Sequence, residues 1–191
     1  MTDLLWYSAE LASSEHFRAE LRNDGPRLRG TVVLPIDGRP AHLNYEVSAD
    51  PHWRTRRADV EIERPHGATR IAVVADGEGH WVVDGEAAPT LDGCLDIDLG
   101  WTPATNTFQI RRLELGVGER QTLAVAWMRF PELVVERNDQ TYERIGPTTW
   151  RYSSGDFDAI LEVDGDGFVR RYGDDLWLAI AATESEPRHQ G

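Results

Sequence analysis

Strict alternation of apolar and polar residues is the feature that most limits how this chain can fold. In residues 16–22, Phe17, Ala19 and Leu21 alternate with charged residues or histidine, and residues 156–163 repeat the pattern. Successive side chains of a β-strand point to opposite faces, so a period of two predicts strands with one apolar face. Similar strand-like stretches are residues 29–34, 43–47, 58–63, 70–75, 80–83, 122–129, 133–136, 149–153, 168–172 and 176–181.

Turn-forming residues separate these stretches, among them Asn23-Asp24-Gly25, Asp37-Gly38, residues 76–79, Asp84-Gly85 and residues 164–167. Such residues tolerate the positive φ that tight hairpins require. Helical patterns are scarce: residues 4–11 and 107–115 could each form a short helix, and the apolar spacing leaves both open. Many short strands with frequent turns predict a mainly β fold, an antiparallel sheet curved into a sandwich, barrel or half-barrel.

No composition shift marks a domain boundary, so residues 1–183 are interpreted as a single β-rich domain, and the polar residues 184–191 as a flexible tail. The net charge of −13 argues against nucleic acid and against an anionic membrane surface as partners. Cys94 is the only cysteine, which fits a reducing compartment. The N-terminal residues lack the pattern of a secretory signal, and residues 176–182 are the longest apolar run, too short to span a membrane. We therefore expect an acidic, cytoplasmic protein, and its oligomeric state stays open.

Residues 93–113 concentrate polar groups that could converge on one site: Asp96, Asp98, Thr102, Thr105, Asn106, Thr107, Arg111 and Arg112. Asp96 and Asp98 share one face of a predicted strand, about 7 Å apart along it. That spacing suits acid–base chemistry across a substrate or a hard cation. It also suits a solvated strand face, or pairing of the two aspartates with arginine; we expect one of Arg111 and Arg112 to pair with Asp96 or Asp98.

The residues between these charges leave further alternatives. Thr105, Asn106 or Thr107 could cap a short helix through a side-chain oxygen. Hydroxyl and amide groups also bind sugar hydroxyls or phosphate, and Trp101 could stack on a sugar ring. No cofactor or metal is expected, because the histidines show no metal-ligand spacing and the chain has no Walker loop or GxGxxG motif.

Residues 93–113 resemble a signature of a bacterial and archaeal family described as putative glycolipid-binding. The matching residues are Leu91, residues 93–99, Thr102-Pro103, Thr105-Asn106-Thr107 and residues 110–113, with weaker matches along nearly the whole chain. The resemblance implies a single curved antiparallel sheet, a half-barrel with short helices or loops covering its concave face, similar to periplasmic lipoprotein carriers. It also implies binding of a glycolipid or a related amphiphile.

Three functions follow from these patterns together with the resemblance, which alone implies the lipid-type ligand of the first. The first is non-catalytic binding of a lipid or glycolipid, with acyl chains on an apolar concave face. Its candidate ligand-binding residues are Asp96, Asp98, Trp101, Thr102, Thr105, Asn106, Arg111 and Arg112. The second is a hydrolase that acts on a sugar or an ester with Asp96 and Asp98 as acid and base. The third is a structural or interaction module whose sheet edge pairs with a partner.

Overall fold

The alternating stretches form β-strands within residues 1–183, the part of the chain that the structure, a computed structural model, describes. The strands are β1 (Thr2–Ser8), β2 (Ser13–Arg22), β3 (Gly25–Ile36), β4 (Arg39–Ala49), β5 (Thr55–Arg64), β6 (Gly67–Ala75), β7 (Trp81–Val83), β8 (Glu86–Ala87), β9 (Asp96–Leu99), β10 (Arg120–Met128), β11 (Val135–Arg144), β12 (Thr149–Ser154), β13 (Phe157–Val163), β14 (Val169–Tyr172) and β15 (Trp177–Thr183). A helix, α1 (Asn106–Leu113), and a 3-10 turn (Pro89–Leu91) accompany them. No helix of these residues is long and apolar enough to cross a membrane. The tail predicted for residues 184–191 lies outside the described residues.

Most of the predicted strands are confirmed, and the helix considered for residues 107–115 is present as α1. Residues 4–11 do not form the other helix, because they belong largely to β1. The prediction for residues 133–136 reached only the start of β11. The rest of β11 was missed because one of its buried positions carries Gln140, a polar residue that breaks the apolar alternation.

All fifteen strands belong to one sheet, in the order β8-β7-β6-β5-β4-β3-β2-β1-β15-β14-β13-β12-β11-β10-β9. Neighbours are antiparallel except β9 and β10, which run parallel and pair Asp96 with Val125 through Leu99 with Met128. The prediction of a wholly antiparallel sheet is therefore wrong at this edge, and the sheet is mixed. Parallel neighbours need a long crossover connection, and residues 100–119, which contain α1, supply it.

The core lies on the inward face of this sheet. Trp6, Phe17 and Leu43 from the first half of the chain are fully buried there, in one cluster with Ile97 of β9 and Phe108 of α1. Burying each such side chain stabilises the fold by about 1.5–3 kcal/mol. Much of the inward face is therefore filled by the protein's own side chains, including those of the crossover segment.

The edge strand β9 is buried on both sides. The main-chain N–H of Thr55 donates to the carbonyl of Leu95 at 2.9 Å, and the Thr55 hydroxyl accepts from the N–H of Ile97 at 2.9 Å. These bonds hold β9 against the start of β5, although the sheet does not close into a barrel. All four residues of β9 are buried, so Asp96 and Asp98 do not form a solvated strand face.

Two of the predicted Asp-Gly turns, Asp37-Gly38 and Asp84-Gly85, have the expected backbone. Asp37 and Gly38 both have positive φ, 51° and 71°, as a tight two-residue hairpin requires. Gly25 follows the turn between β2 and β3 with φ of 117°. An added Cβ there would lie 2.0 Å from the carbonyl oxygen of Ala49. Glycine is required at this position by both conformation and space.

Gly25→Ala is therefore expected to lower the free energy of unfolding by about 2–3 kcal/mol, from backbone strain together with the clash. Gly38→Ala is the matched control, because a Cβ there meets nothing within 4 Å and costs only strain of about 1 kcal/mol. Urea unfolding of both variants measures the difference. Equal losses in the two variants would contradict the close approach at Gly25.

Candidate ligand-binding site

Residues 98–106 fold into a turn that ties β9 to α1. Thr105 occupies the position before the first helical residue, but its side chain makes no capping bond to the helix. Its hydroxyl instead accepts from the N–H of Leu99 at 3.0 Å and donates to Asp98 Oδ1 at 3.3 Å. The predicted side-chain cap is therefore wrong, because the Thr105 hydroxyl serves the strand and its carboxylate.

Asp98 is the end point of a buried row of hydrogen bonds. Asn106 Nδ2 donates to the Tyr142 hydroxyl at 2.7 Å, and that hydroxyl donates to Gln140 Oε1 at 3.3 Å. Gln140 Nε2 then donates to Asp98 Oδ2 at 2.6 Å. Burial raises the pKa of Asp98 to about 6, against the opposing effect of its bonds to Gln140 and Thr105. At neutral pH the row therefore ends on a carboxylate.

This row opens into a cavity of about 420 Å³, called here the aromatic cavity. Three of its polar lining residues come from the row, namely Asp98, Asn106 and Gln140, and its aromatic lining residues are Trp127, Tyr152, Phe157, Tyr172 and Trp177. A cavity with this volume, aromatic walls and a few convergent polar groups is typical of small-molecule sites.

Asp96 belongs to a different arrangement. Its carboxylate is fully buried and accepts from Arg112 Nε at 3.0 Å and from Arg112 Nη2. Burial raises the pKa of Asp96, and the guanidinium of Arg112 opposes this change. The expected pairing of one arginine with one aspartate is confirmed. Asp96 lines neither the aromatic cavity nor the cavity beside Arg112, so the two carboxylates do not face one substrate as a hydrolase pair would.

Arg111 points to a second cavity of about 800 Å³, called here the arginine cavity. Its guanidinium lies 5.1 Å from the centre of the Trp53 ring. The Arg111 side chain makes no hydrogen bond or ion pair with any of the described residues. The arginine cavity is also lined by Arg54, Arg112, Arg144 and Trp150.

Trp101 and Thr102 follow β9 directly and are both buried. Trp101 packs against Phe130 with ring centres 5.9 Å apart and does not line the aromatic cavity. Thr102 does line it, and its hydroxyl donates to Glu15 Oε1 at 3.0 Å.

Glu15 is a buried acid that the motif analysis missed. Its carboxyl accepts from the Tyr45 hydroxyl as well as from Thr102, and its second oxygen has no partner among the described residues. Burial raises the pKa of Glu15 to about 8, so this side chain is a neutral acid at pH 7. The burial of Glu15 could be predicted from the sequence, because Glu15 lies two residues before Phe17 and therefore on the same apolar face of β2 as Phe17 and Ala19.

The eight predicted site residues thus do not converge on one point. Asp98, Thr102 and Asn106 line the aromatic cavity, and Thr105 donates a hydrogen bond to Asp98. Arg111 and Arg112 line the arginine cavity. Asp96 and Trp101 are buried away from both cavities.

These features define a class: a mainly β protein in which a buried row of hydrogen bonds ends on the carboxylate of Asp98 at an aromatic cavity. Residues 3–177 match the family described as "Putative glycolipid-binding". The chain belongs to this family, which confirms the resemblance of residues 93–113. It is also similar to a crystal structure of a DUF1089 family protein from Pseudomonas aeruginosa, at 34% identity and a TM-score of 0.76, covering 84% of this chain and 89% of that one. No curated protein matches the chain.

Proposed function

We propose that this protein binds a glycolipid-like amphiphile in the aromatic cavity, without chemical change to it. The observation that carries the proposal is the junction of a hydrogen-bonding floor with an aromatic wall inside one cavity. Membership of a family described as glycolipid-binding supports the same class of ligand.

The floor suits the hydroxyl groups of a sugar-like head. Asp98 accepts one bond on each carboxylate oxygen, from Thr105 and Gln140. A carboxylate has about four acceptor sites, so two remain for ligand hydroxyls. The Asn106 side chain uses its nitrogen on Tyr142, and its oxygen accepts no bond from the described residues. Asp98 and Asn106 would therefore orient the head, with Thr102 beside them.

The wall suits the apolar part of the ligand. Phe157 is 45% exposed, although it packs against Tyr152 and Tyr172 with ring centres 6.0 and 6.2 Å apart. Large apolar side chains left open to water at a cavity are stabilised when a ligand covers them. Because the rest of the inward face is largely filled, we place the apolar part of the ligand on this wall, whose residues Tyr152, Phe157 and Tyr172 lie on that same face.

We also propose that residues 1–183 form one half-barrel domain, with α1 and its flanking loops over the concave face. The bonds between β9 and Thr55 support this curvature. A cytoplasmic location is part of the proposal and is supported by the acidic charge and by a single, buried cysteine.

Phe157→Ala is expected to weaken amphiphile binding about three- to tenfold, since full burial of a phenylalanine side chain contributes about 1.5–3 kcal/mol and a ligand can cover only the 45% that is exposed. Native mass spectrometry after incubation with a total lipid extract, followed by extraction and identification of the bound mass, measures the effect. Ile160→Ala is the matched control, because Ile160 is an exposed residue of the same strand that does not line the aromatic cavity.

Equal binding by the wild type and by Ile160→Ala, with weaker binding by Phe157→Ala, supports the proposal. A mass without ligand after incubation, or equal binding by all three proteins, contradicts it.

A further inference from the structure

We propose that the arginine cavity is a second ligand site, which binds a phosphate group as inorganic phosphate or as a phosphate monoester. Four arginines and two acidic residues line this cavity in a protein whose net charge is −13. This cavity lies at the C-terminal end of α1, whereas Asn106, which lines the aromatic cavity, begins the helix. The phosphate proposal is therefore independent of the amphiphile proposed for the aromatic cavity. Two of these arginines, Arg111 and Arg144, have no acidic partner among the described residues that neutralises their charge.

Arg111 is the first uncompensated charge. Its side chain makes no hydrogen bond or ion pair with the part of the chain that the structure describes, so all five N–H groups of the guanidinium are available. Its contact is with the face of Trp53, 5.1 Å from the ring centre. An aromatic face orients a guanidinium without neutralising it, so Arg111 is held at the cavity with its donors free.

Arg144 is the second uncompensated charge, and it is held rigidly. Its three nitrogens donate to the main-chain carbonyls of Leu115, Gly146 and Pro147, at 2.9, 3.3 and 2.7 Å. Carbonyls accept hydrogen bonds but carry no net charge. One N–H on each terminal nitrogen remains free to donate to a phosphate oxygen.

The other two arginines of the cavity are paired. Arg112 bonds to Asp96, and Arg54 bonds to the exposed Glu78 at 2.9 Å. Of the two acids, Asp164 is paired with Arg170 at 2.8 Å, and the exposed Glu114 makes no ion pair among the described residues. Arg111 and Arg144 therefore give the cavity an excess of one positive charge over Glu114.

The backbone beneath Arg111 is held in a disfavoured conformation. Trp53 has a φ of 65°, a region that bulky side chains rarely adopt. The surrounding turn enforces it, since the Asp50 carboxylate accepts from the N–H groups of His52 and Arg54, and the Asp50 carbonyl from that of Trp53. Such strain collects at ligand sites, and here it places an aromatic platform under a free guanidinium.

Phosphate is the chemistry that fits these groups. Planar guanidinium groups bind phosphate oxygens through paired hydrogen bonds. The acidic surface repels diffuse anions, so anion binding needs a local concentration of positive charge. A cavity of about 800 Å³ has room for the organic part of a monoester beside the phosphate.

The test is isothermal titration of the full-length protein with inorganic phosphate and with glycerol 3-phosphate, at low and high salt. A third arm uses sedimentation with phosphatidylcholine vesicles, with and without phosphatidic acid. The proteins are the wild type, Arg111→Gln and the control Arg120→Gln. The control removes another arginine whose side chain makes no hydrogen bond or ion pair among the described residues and lies outside the arginine cavity.

We expect one phosphate or monoester to bind per chain, salt to weaken the binding, Arg111→Gln to weaken it at least tenfold, and Arg120→Gln to leave it within twofold. Binding of the soluble anions identifies a free source of the phosphate, and binding only to phosphatidic acid vesicles identifies a lipid headgroup. Absence of binding in all arms, or equal affinity in Arg111→Gln and the wild type, overturns the proposal. Phe157→Ala should leave phosphate affinity unchanged, so this site and the proposed amphiphile site can fail separately.

Discussion

Arg112→Met will lower the free energy of unfolding by about 3–5 kcal/mol, because it leaves a carboxylate buried without its partner. The Asp96 side chain is 0% exposed and Arg112 is 17% exposed, so water cannot replace the lost bonds. Methionine keeps much of the length of the arginine side chain, which limits the loss of packing. Urea unfolding at neutral pH measures the effect.

Arg111→Met is the matched control for this prediction. It removes the adjacent arginine of the same helix, whose contact with Trp53 contributes about 0.5–1 kcal/mol at an exposed site. The double variant Asp96→Leu, Arg112→Met should recover most of the loss, since a buried ion pair can be replaced by apolar residues at little cost. Similar losses from Arg111→Met and Arg112→Met, or no recovery in the double variant, would contradict a buried ion pair.

The pairing of Asp96 with Arg112 and not with Arg111 shows how far the sequence could predict the site. The density of polar residues in 93–113 correctly marked a special segment, and one of its aspartates does pair with one of its arginines. The separation into two cavities was not readable, because Asp98 takes its bond from Gln140, 42 residues away, and Asn106 bonds to Tyr142, 36 residues away. Only the tertiary fold determines which partners these side chains meet.

The fold was predictable for a different reason. Alternation and turn residues are local, and local patterns determine strands and hairpins such as that at Asp37-Gly38. They do not determine pairing direction at an edge, so the parallel contact of β9 with β10 was missed. Glu15 shows the same limit: alternation places it on the buried face, but its partner Thr102 is 87 residues further along the chain.

Glu15→Gln is expected to remove a large pH dependence of stability. In the unfolded chain this acid ionises near its ordinary value of 4.5, whereas in the folded protein its pKa is about 8. Between these values the folded state binds one more proton than the unfolded state, so rising pH favours unfolding. The contribution is fully present below pH 4.5 and is lost as the pH rises through 8, by about 4–5 kcal/mol in all.

Glutamine stays neutral over this range and retains an oxygen that can accept from Tyr45 and Thr102. The wild-type free energy of unfolding should therefore fall relative to that of Glu15→Gln between pH 4.5 and 8, as urea titrations at each pH will measure. Asp98 and the net charge of −13 add a pH dependence that is nearly common to both proteins, so it largely cancels in the difference. Glu10→Gln, at an exposed turn position, is the control for loss of one acid.

Glu15 bonds to Thr102, which lines the aromatic cavity, so its ionisation would place a charge directly behind the proposed ligand. Uncharged Glu15 leaves Asp98 as the ionised acid of the cavity floor at neutral pH. If the wild type and Glu15→Gln instead change in parallel from pH 4.5 to 8, Glu15 is already ionised in the folded protein. One negative charge would then line the cavity at Asp98 and a second would lie behind Thr102, and a ligand with several hydroxyl donors would be favoured still more strongly over an anionic one.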